Sequence, residues 1–176
     1  MASERLTYKT LFKKENIEIR EYNAAVFATV RSEGEIFKNR SKNFRKLAGY
    51  IFGGNSNSEQ ISMTSPVTMK QEADTSVMSF MIPSEWSINE LPKPNNEDIK
   101  FNSQEGFYAV TITFGGYSDS EKYAKYHQEL VEFCQKHNLD YSEDSYLLGY
   151  DPPFKVMGRR NEVLIKLNRL PDEWPE

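Results

Sequence analysis

Residues 60–70 read QISMTSPVTMK, and the fold turns on how that stretch is read. Ile61, Met63, Val67 and Met69 alternate with polar neighbours, the period of a strand with one buried face. Pro66 stands in the middle without an N–H to donate, so the strand must bend there. Met63 and Met69 lie on either side of that bend, just behind a segment that closes on Gly53-Gly54. Flexible thioethers in such a place form one wall of an adaptable apolar cleft; taken alone, they are equally ordinary core filler.

Moving toward the N-terminus, residues 35–52 place Phe37, Phe44, Leu47, Ala48 and Ile51 on one face at helical spacing, with Lys38, Arg45 and Lys46 off it. The glycine pair then ends the helix. Before it, AAVFATVR (24–31) is rich in β-formers, and an alternating run begins at Ile17 and Ile19. Toward the C-terminus, VMSFMIP (77–83) is a further strand. The loop SEWSINELPKPNNED (84–98) follows, with Trp86 placed to cover apolar surface.

The order then recurs. Strands are expected at 99–102 and 107–114, and a helix at 119–138 whose face carries Tyr123, Tyr126, Leu130, Phe133, Cys134 and His137. Further strands are expected at 145–151 and 162–167. NIEIREY at 16 aligns with DIKFNSQ at 98, AAVFATVR with FYAVTITF, SMTSPV with LGYDPP, and VMSFMIP with NEVLIKL, all at a near-constant offset. The pattern reads as an internal duplication within one domain spanning 1–176, with halves at about 16–83 and 98–168 and a connector at 84–97. Two strand-strand-helix-strand-strand units would join their sheets into one curved or closed sheet with two helices against it, removing exposed edges.

Composition limits the functions available. The chain has 176 residues, 22 basic and 26 acidic, for a net charge of −4, which offers no electrostatic argument for nucleic acid or an anionic membrane. Eleven Phe and ten Tyr mark a structured chain with much sheet or a ring-lined site. The single cysteine, Cys134, excludes an intramolecular disulfide and a cysteine zinc site. The first residues hold no apolar signal core, and no window reaches the ~18 apolar residues of a membrane span. A cytoplasmic protein is the expectation.

The run NIEIREY, the helix closing on YIFGGN, then MTSPVTM, IPSEW, GYDPPF and RRNEVLIKL resemble the SOUL haem-binding family in its own order, from about residue 8 to 167. The resemblance implies an α+β fold: a distorted antiparallel β-barrel of about eight strands flanked by two helices, with a pseudo-twofold repeat. It also implies kinship with gyrase-inhibitor-like effector-binding domains, which take bulky apolar ligands. The ligand implied is haem or a related tetrapyrrole, carried or buffered without catalysis. Its site would be lined by Phe44, Leu47, Tyr50 and Ile51 of the first helix and by Met63 and Met69. Arg45, Lys46 or Lys70 would meet the propionates. A guanidinium fork matches a carboxylate better than an ammonium does, so Arg45 would be the stronger clamp; its bland alternative is a solvated helix face.

Iron is the harder half of that expectation. Imidazole is the usual protein ligand to haem iron. The chain has only His127 and His137, both on the second helix, where capping or hydrogen bonding is the commoner role. No metal site is therefore assigned, His127 and His137 standing only as weak axial candidates, and the binding expected is weak, loosely coordinated or directed at the porphyrin rather than the metal. Two other classes stay open. A small-molecule hydrolase would draw on Glu162 with Tyr150, although a Glu162 solvated or paired with Arg159 or Arg160 is the plainer account. A regulatory module would bind an effector or a protein partner, using the loop from Phe154 to Met157 as contact or lid.

Overall fold

The computed structural model describes residues 3–176. In chain order the elements are β1 (Glu4–Arg5), β2 (Tyr8–Lys14), β3 (Ile17–Tyr22), β4 (Ala25–Glu33), α1 (Ile36–Ile51), β5 (Thr64–Ser65), β6 (Val67–Glu72) and β7 (Thr75–Met81). A 3-10 turn at Ile88–Glu90 precedes β8 (Lys100–Gln104), β9 (Phe107–Phe114), α2 (Ser120–Lys136), β10 (Tyr141–Gly149) and β11 (Asn161–Leu167). The class is α+β, antiparallel strands with two helices, as the sequence reading has it; the short β1 and β5 and the leading β2 come in addition.

The chain divides into two compact units. Unit 1 takes the chain up to Leu6 and Ala24–Glu105; unit 2 takes Thr7–Asn23 and Gly106–Glu176. This division crosses the sequence halves at one strand each way: β3 belongs to unit 2 and β8 to unit 1.

Unit 1 runs β6-β7-β4-β8, all antiparallel, beside the parallel pair β1-β5. The alternation in β4 buries Ala28, Val30 and Ser32 and leaves Arg31 and Glu33 in solvent. Helix α1 meets β4 and β7 through its apolar stripe, with Leu47, Tyr50 and Ile51 buried. Its N-terminus has no side-chain cap of its own. Instead the Ile36 N–H donates to Gln71 Oε1 at 3.0 Å, so β6 satisfies one of the first-turn donors a helix leaves unpaired. At the other end Gly53 has φ +110°, and a Cβ on Gly54 would stand 2.5 Å from the Gly49 carbonyl oxygen. That is why the glycine pair stops the helix there.

The stretch 60–70 follows at once. The Ile61 N–H donates to the Ile51 carbonyl at 2.7 Å, tying it to the end of α1. The bent strand is in fact two strands, β5 and β6, with Pro66 between them. β5 pairs with β1, β6 with β7, and the Thr64 hydroxyl donates to the Met81 carbonyl at 2.6 Å.

Unit 2 runs β2-β3-β9-β11-β10, again antiparallel. β11 is buried along nearly its whole length. Asp119 caps α2 by accepting from the Lys122 N–H at 2.8 Å. Phe114 stacks on Tyr126 at 4.4 Å, and Leu130 and Cys134 are fully buried. Burial pushes the Cys134 thiol up to about 12, leaving it an inert apolar side chain.

Candidate functional site

The side chains expected to hold a ligand fall in unit 1 and differ in burial. Leu47, Tyr50, Ile51 and Met69 are buried. Tyr50 donates its hydroxyl to the Pro92 carbonyl at 2.8 Å, and burial pushes its pKa up to about 12. Phe44 and Met63 are half-buried, Phe44 packing edge-on against Phe80 at 5.3 Å. Phe52, which the periodicity had only as the helix end, is 64% exposed at the C-cap of α1, bridged to Gln60. No sequence signal marks it, because its exposure is set by the fold.

The cations are placed differently from one another. Arg45 is exposed on α1. Lys46 pairs with Asp98 at 3.0 Å and Lys70 with Glu72 at 3.5 Å, so both already meet carboxylates. His127, His137 and Cys134 all belong to unit 2. His127 stacks on Tyr123 at 5.8 Å and His137 is the C-cap of α2, 4.5 Å from Phe133. Burial lowers the pKa of His127, and burial with Lys136 and Lys14 lowers that of His137. Among the described residues no three His, Cys, Asp or Glu side chains gather as a metal site.

Unit 2 assembles a second cluster. The structure does bring Glu162 and Tyr150 together, the phenol donating to Oε1 at 2.6 Å. The same carboxylate accepts from Arg20 at 2.8 and 2.6 Å, from the Thr113 hydroxyl at 2.8 Å and from Arg160 at 3.0 Å. Arg20 also bonds Glu18 and the Tyr22 hydroxyl, and lies 4.0 Å from the Tyr8 ring centroid. Both Arg20 and Glu162 are fully buried. Burial alone would raise the Glu162 pKa, but the Arg20 hydrogen bond and charge, the Tyr150 bond and the Arg160 charge hold it at about 2. Burial raises the Tyr150 pKa, and the Glu162 charge raises it further, so the phenol stays a donor.

Chemically this is a saturated carboxylate. Both oxygens are occupied, and a group held near 2 neither gives nor takes a proton at neutral pH. The partner expected from sequence, Arg160, is present; Arg20 is the residue sequence missed. It comes from 142 positions earlier, on β3, which also buries Ile19 and Tyr22.

The loop joining β10 to β11 leaves Phe154, Val156 and Met157 exposed, as the sequence suggested for Phe154 and Met157. No helix among the described residues is long and apolar enough to cross a membrane.

The C-terminal domain of EcmrR covers 93% of this chain and 99% of its own, with a TM-score of 0.66 at 12% identity, which shows a shared fold. A crystal structure described as a hydrolase from Listeria innocua matches at TM-score 0.63 and 11% identity over 94% of this chain and 93% of its own, again a likeness of fold alone. In sequence, Heme-binding protein 1 of Xenopus laevis is 33% identical over 155 residues, covering 83% of this chain and 80% of the relative. The family model described as SOUL heme-binding protein matches residues 3–166, and the chain belongs to that family.

Proposed function

We propose that the protein binds haem or a related tetrapyrrole on unit 1 and carries or buffers it without chemical change. The family membership and the relatives named for heme binding support the ligand class. The observation that carries the site is the exposure of Phe52 on the same unit whose Phe44 and Met63 are only half-buried. Flat apolar macrocycles gain roughly 25 cal/mol for each Å² removed from water, less the cost of association. Leu47, Tyr50, Ile51 and Met69 back that surface, and Arg45 with Lys46 or Lys70 meets the propionates.

The residues of unit 1 suit the macrocycle rather than its iron. Unit 1 holds neither His nor Cys, leaving thioether or phenol as its only side chains able to reach the metal. Tyr50, the buried phenol, is already committed to Pro92. The chain's own residues therefore bury a face and pair two carboxylates, and the saturated Glu162 supports a non-catalytic role.

Titration of the pure protein with hemin, followed at the Soret band and by tryptophan quenching, tests this. Saturable binding at micromolar hemin is expected, and equal binding of the metal-free porphyrin within about threefold, since apolar burial rather than coordination holds the ligand. Absence of any saturable change at micromolar hemin sinks the proposal.

A further inference from the structure

Residues 168–176, NRLPDEWPE, follow β11 and fold back over unit 2. Asn168 donates its N–H to the Asp140 carbonyl and its Nδ2 to Asp140 Oδ1, both at 2.8 Å, which ties the start of the segment to the turn between α2 and β10. Its far end lies on β2. Trp174 stacks on Phe12 at 6.2 Å with the rings 6° from parallel, and the Lys14 ammonium donates to the Glu176 main-chain oxygen at 2.6 Å. We infer that the face where β2 meets the last turn of α2 is a binding site for an acidic peptide carrying a large aromatic ring. Residues 172–176 fill that site within this chain, and a partner protein's segment of the same chemistry displaces them.

The face joins a strand and a helix end. Phe12 and Lys14 stand two apart on β2, hence on one side of it, and Phe133 of α2 packs on that side, 6.5 Å from Phe12. One helical turn on, His137 lies 4.5 Å from the Phe133 ring. Phe12, Phe133 and His137 are each half-buried. Burial lowers the His137 pKa first, and the charges of Lys136 and Lys14 lower it further, so both cations border these rings. β2 ends the ladder of unit 2, which leaves its outer side without a neighbouring strand.

The segment itself gives the chemistry of the occupant. PDEWPE (171–176) holds three carboxylates, one indole and no cation. Its acids suit the lysines and its ring suits Phe12, which is the complementarity a peptide ligand needs. The occupancy is partial. Trp174 remains 47% exposed, and the described bond from the bordering lysines to the segment comes from Lys14, not Lys136. The pairs of Arg169 with Asp140 at 3.4 Å and Asp172 at 3.5 Å lie in solvent, where ion pairs add little. A partner's peptide that buries its ring and meets Lys136 as well gains more than the segment it displaces. A second copy's 171–176 has no such advantage, because the same residues already sit beside the face at the millimolar effective concentration that a short tether gives. The occupant is therefore a different protein. The inference concerns unit 2 and is independent of whether unit 1 takes a tetrapyrrole.

Fluorescence anisotropy of fluorescein-labelled peptides titrated with the full chain tests it. The Trp174→Ala variant, whose own segment has lost its ring, is expected to bind the peptide PDEWPE saturably below about 1 mM, and the parent about tenfold less tightly, since its segment competes. The peptide PDEAPE is expected to bind neither, and PKKWPK to bind Trp174→Ala about tenfold less tightly than PDEWPE does. Adding Lys14→Glu to Trp174→Ala is expected to cost about tenfold, and adding Phe12→Ser to abolish binding. The longer peptide EEPDEWPEEE is expected to bind the parent about tenfold more tightly than PDEWPE, and Lys136→Glu to remove that gain. Circular dichroism identical to the parent shows that each variant is folded, and the exposed Lys14 carries the test if Phe12→Ser does not fold. Absence of saturable binding of PDEWPE to Trp174→Ala overturns the inference, as does binding that PDEAPE matches or that Lys14→Glu leaves unchanged. A parent that binds neither acidic peptide overturns the displacement. A parent that is dimeric at micromolar concentration, and monomeric as Trp174→Ala, gives the face to a second copy and overturns the assignment of a different protein.

Discussion

Units 1 and 2 order their strands alike around one helix each, yet they fill their interiors with different polar groups. In unit 1 the strand before the helix, β4, lies between β7 and β8; in unit 2 its counterpart β9 lies between β11 and β3. The buried polar residues of unit 1 are neutral: Ser32, Asn43, Asn55, Thr64 and Ser76. They form short bonds that position α1 and the loop after it, such as the Ser32 hydroxyl to Asn43 Oδ1 at 2.5 Å and Asn55 Nδ2 to the Glu59 carbonyl at 2.8 Å. Unit 2 buries Arg20 and Glu162 outright. The difference teaches that one strand order can be filled by neutral hydrogen bonds that position a helix, or by a buried ion pair that ties strands far apart in sequence.

The largest effect should come from breaking the charged core. Arg20→Met leaves Glu162 buried with one fewer cation, and loss of a partner from a buried pair costs about 3–5 kcal/mol. The double variant Arg20→Met/Glu162→Leu should be more stable than the single one, because the orphaned charge leaves with it. Urea unfolding measures both. A double variant less stable than Arg20→Met would mean that Glu162 stabilises unit 2 through Tyr150, Thr113 and Arg160 more than through Arg20.

Next in size is the response to acid, which unit 2 should dominate. The folded Glu162 pKa is about 2 against an ordinary 4.5. A depressed carboxylate stabilises the fold above its unfolded value and loses that contribution as pH falls through the folded one. The window is therefore pH 4.5 down to 2, with about 3 kcal/mol at stake. Asp151 and Glu72 shift in the same direction, so the informative quantity is the gap between the parent and Glu162→Gln. That gap should be widest near neutrality and close toward pH 2. A gap constant across the window would mean that Glu162 contributes shape and hydrogen bonds but no charge.

These two cases also mark what could be seen in the sequence and what could not. Helix α1 was legible because its apolar stripe and its glycine stop are local facts, and β9 because FYAVTITF has β-formers on both faces. β2 was not: YKTLFKK hides its period behind lysines, as suits a strand at one end of the unit 2 ladder. The exchange of β3 and β8 between the halves leaves no local trace, since a strand's composition does not say which neighbour it pairs with. Arg20 stayed hidden for the same reason, while Glu162 and Tyr150, only 12 positions apart, could be paired on paper. Phe52 was passed over because sequence shows which residues are apolar, not which of them the fold leaves wet.

A smaller effect, on ligand rather than stability, should separate the surface of unit 1 from the body beneath it. Phe52→Ala with Met63→Ala removes side chains in contact with water, so unfolding should shift by less than about 1 kcal/mol. Hemin affinity should fall about tenfold, the equivalent of about 1.4 kcal/mol of lost apolar contact. Titration at the Soret band beside a urea melt reads both. Undiminished affinity in the presence of normal stability would move the ligand away from the end of α1.

The smallest change should come from the histidines, and its smallness is what makes it useful. His127 and His137 are the chain's only imidazoles, and the structure gives each a packing role on α2, against Tyr123 and Phe133. Their lowered pKa values keep both rings neutral at physiological pH, the form that can bind a metal, so protonation is no obstacle to coordination. What argues against it is their membership of unit 2, while Phe44, Met63 and Phe52 of the proposed site belong to unit 1. The variant His127→Ala/His137→Ala should therefore bind hemin within about twofold of the parent and keep the same Soret position, because an axial imidazole sets that spectrum when it is present. A displaced Soret band or a loss of about tenfold would place the iron on unit 2 and dissolve the division of labour between the two units.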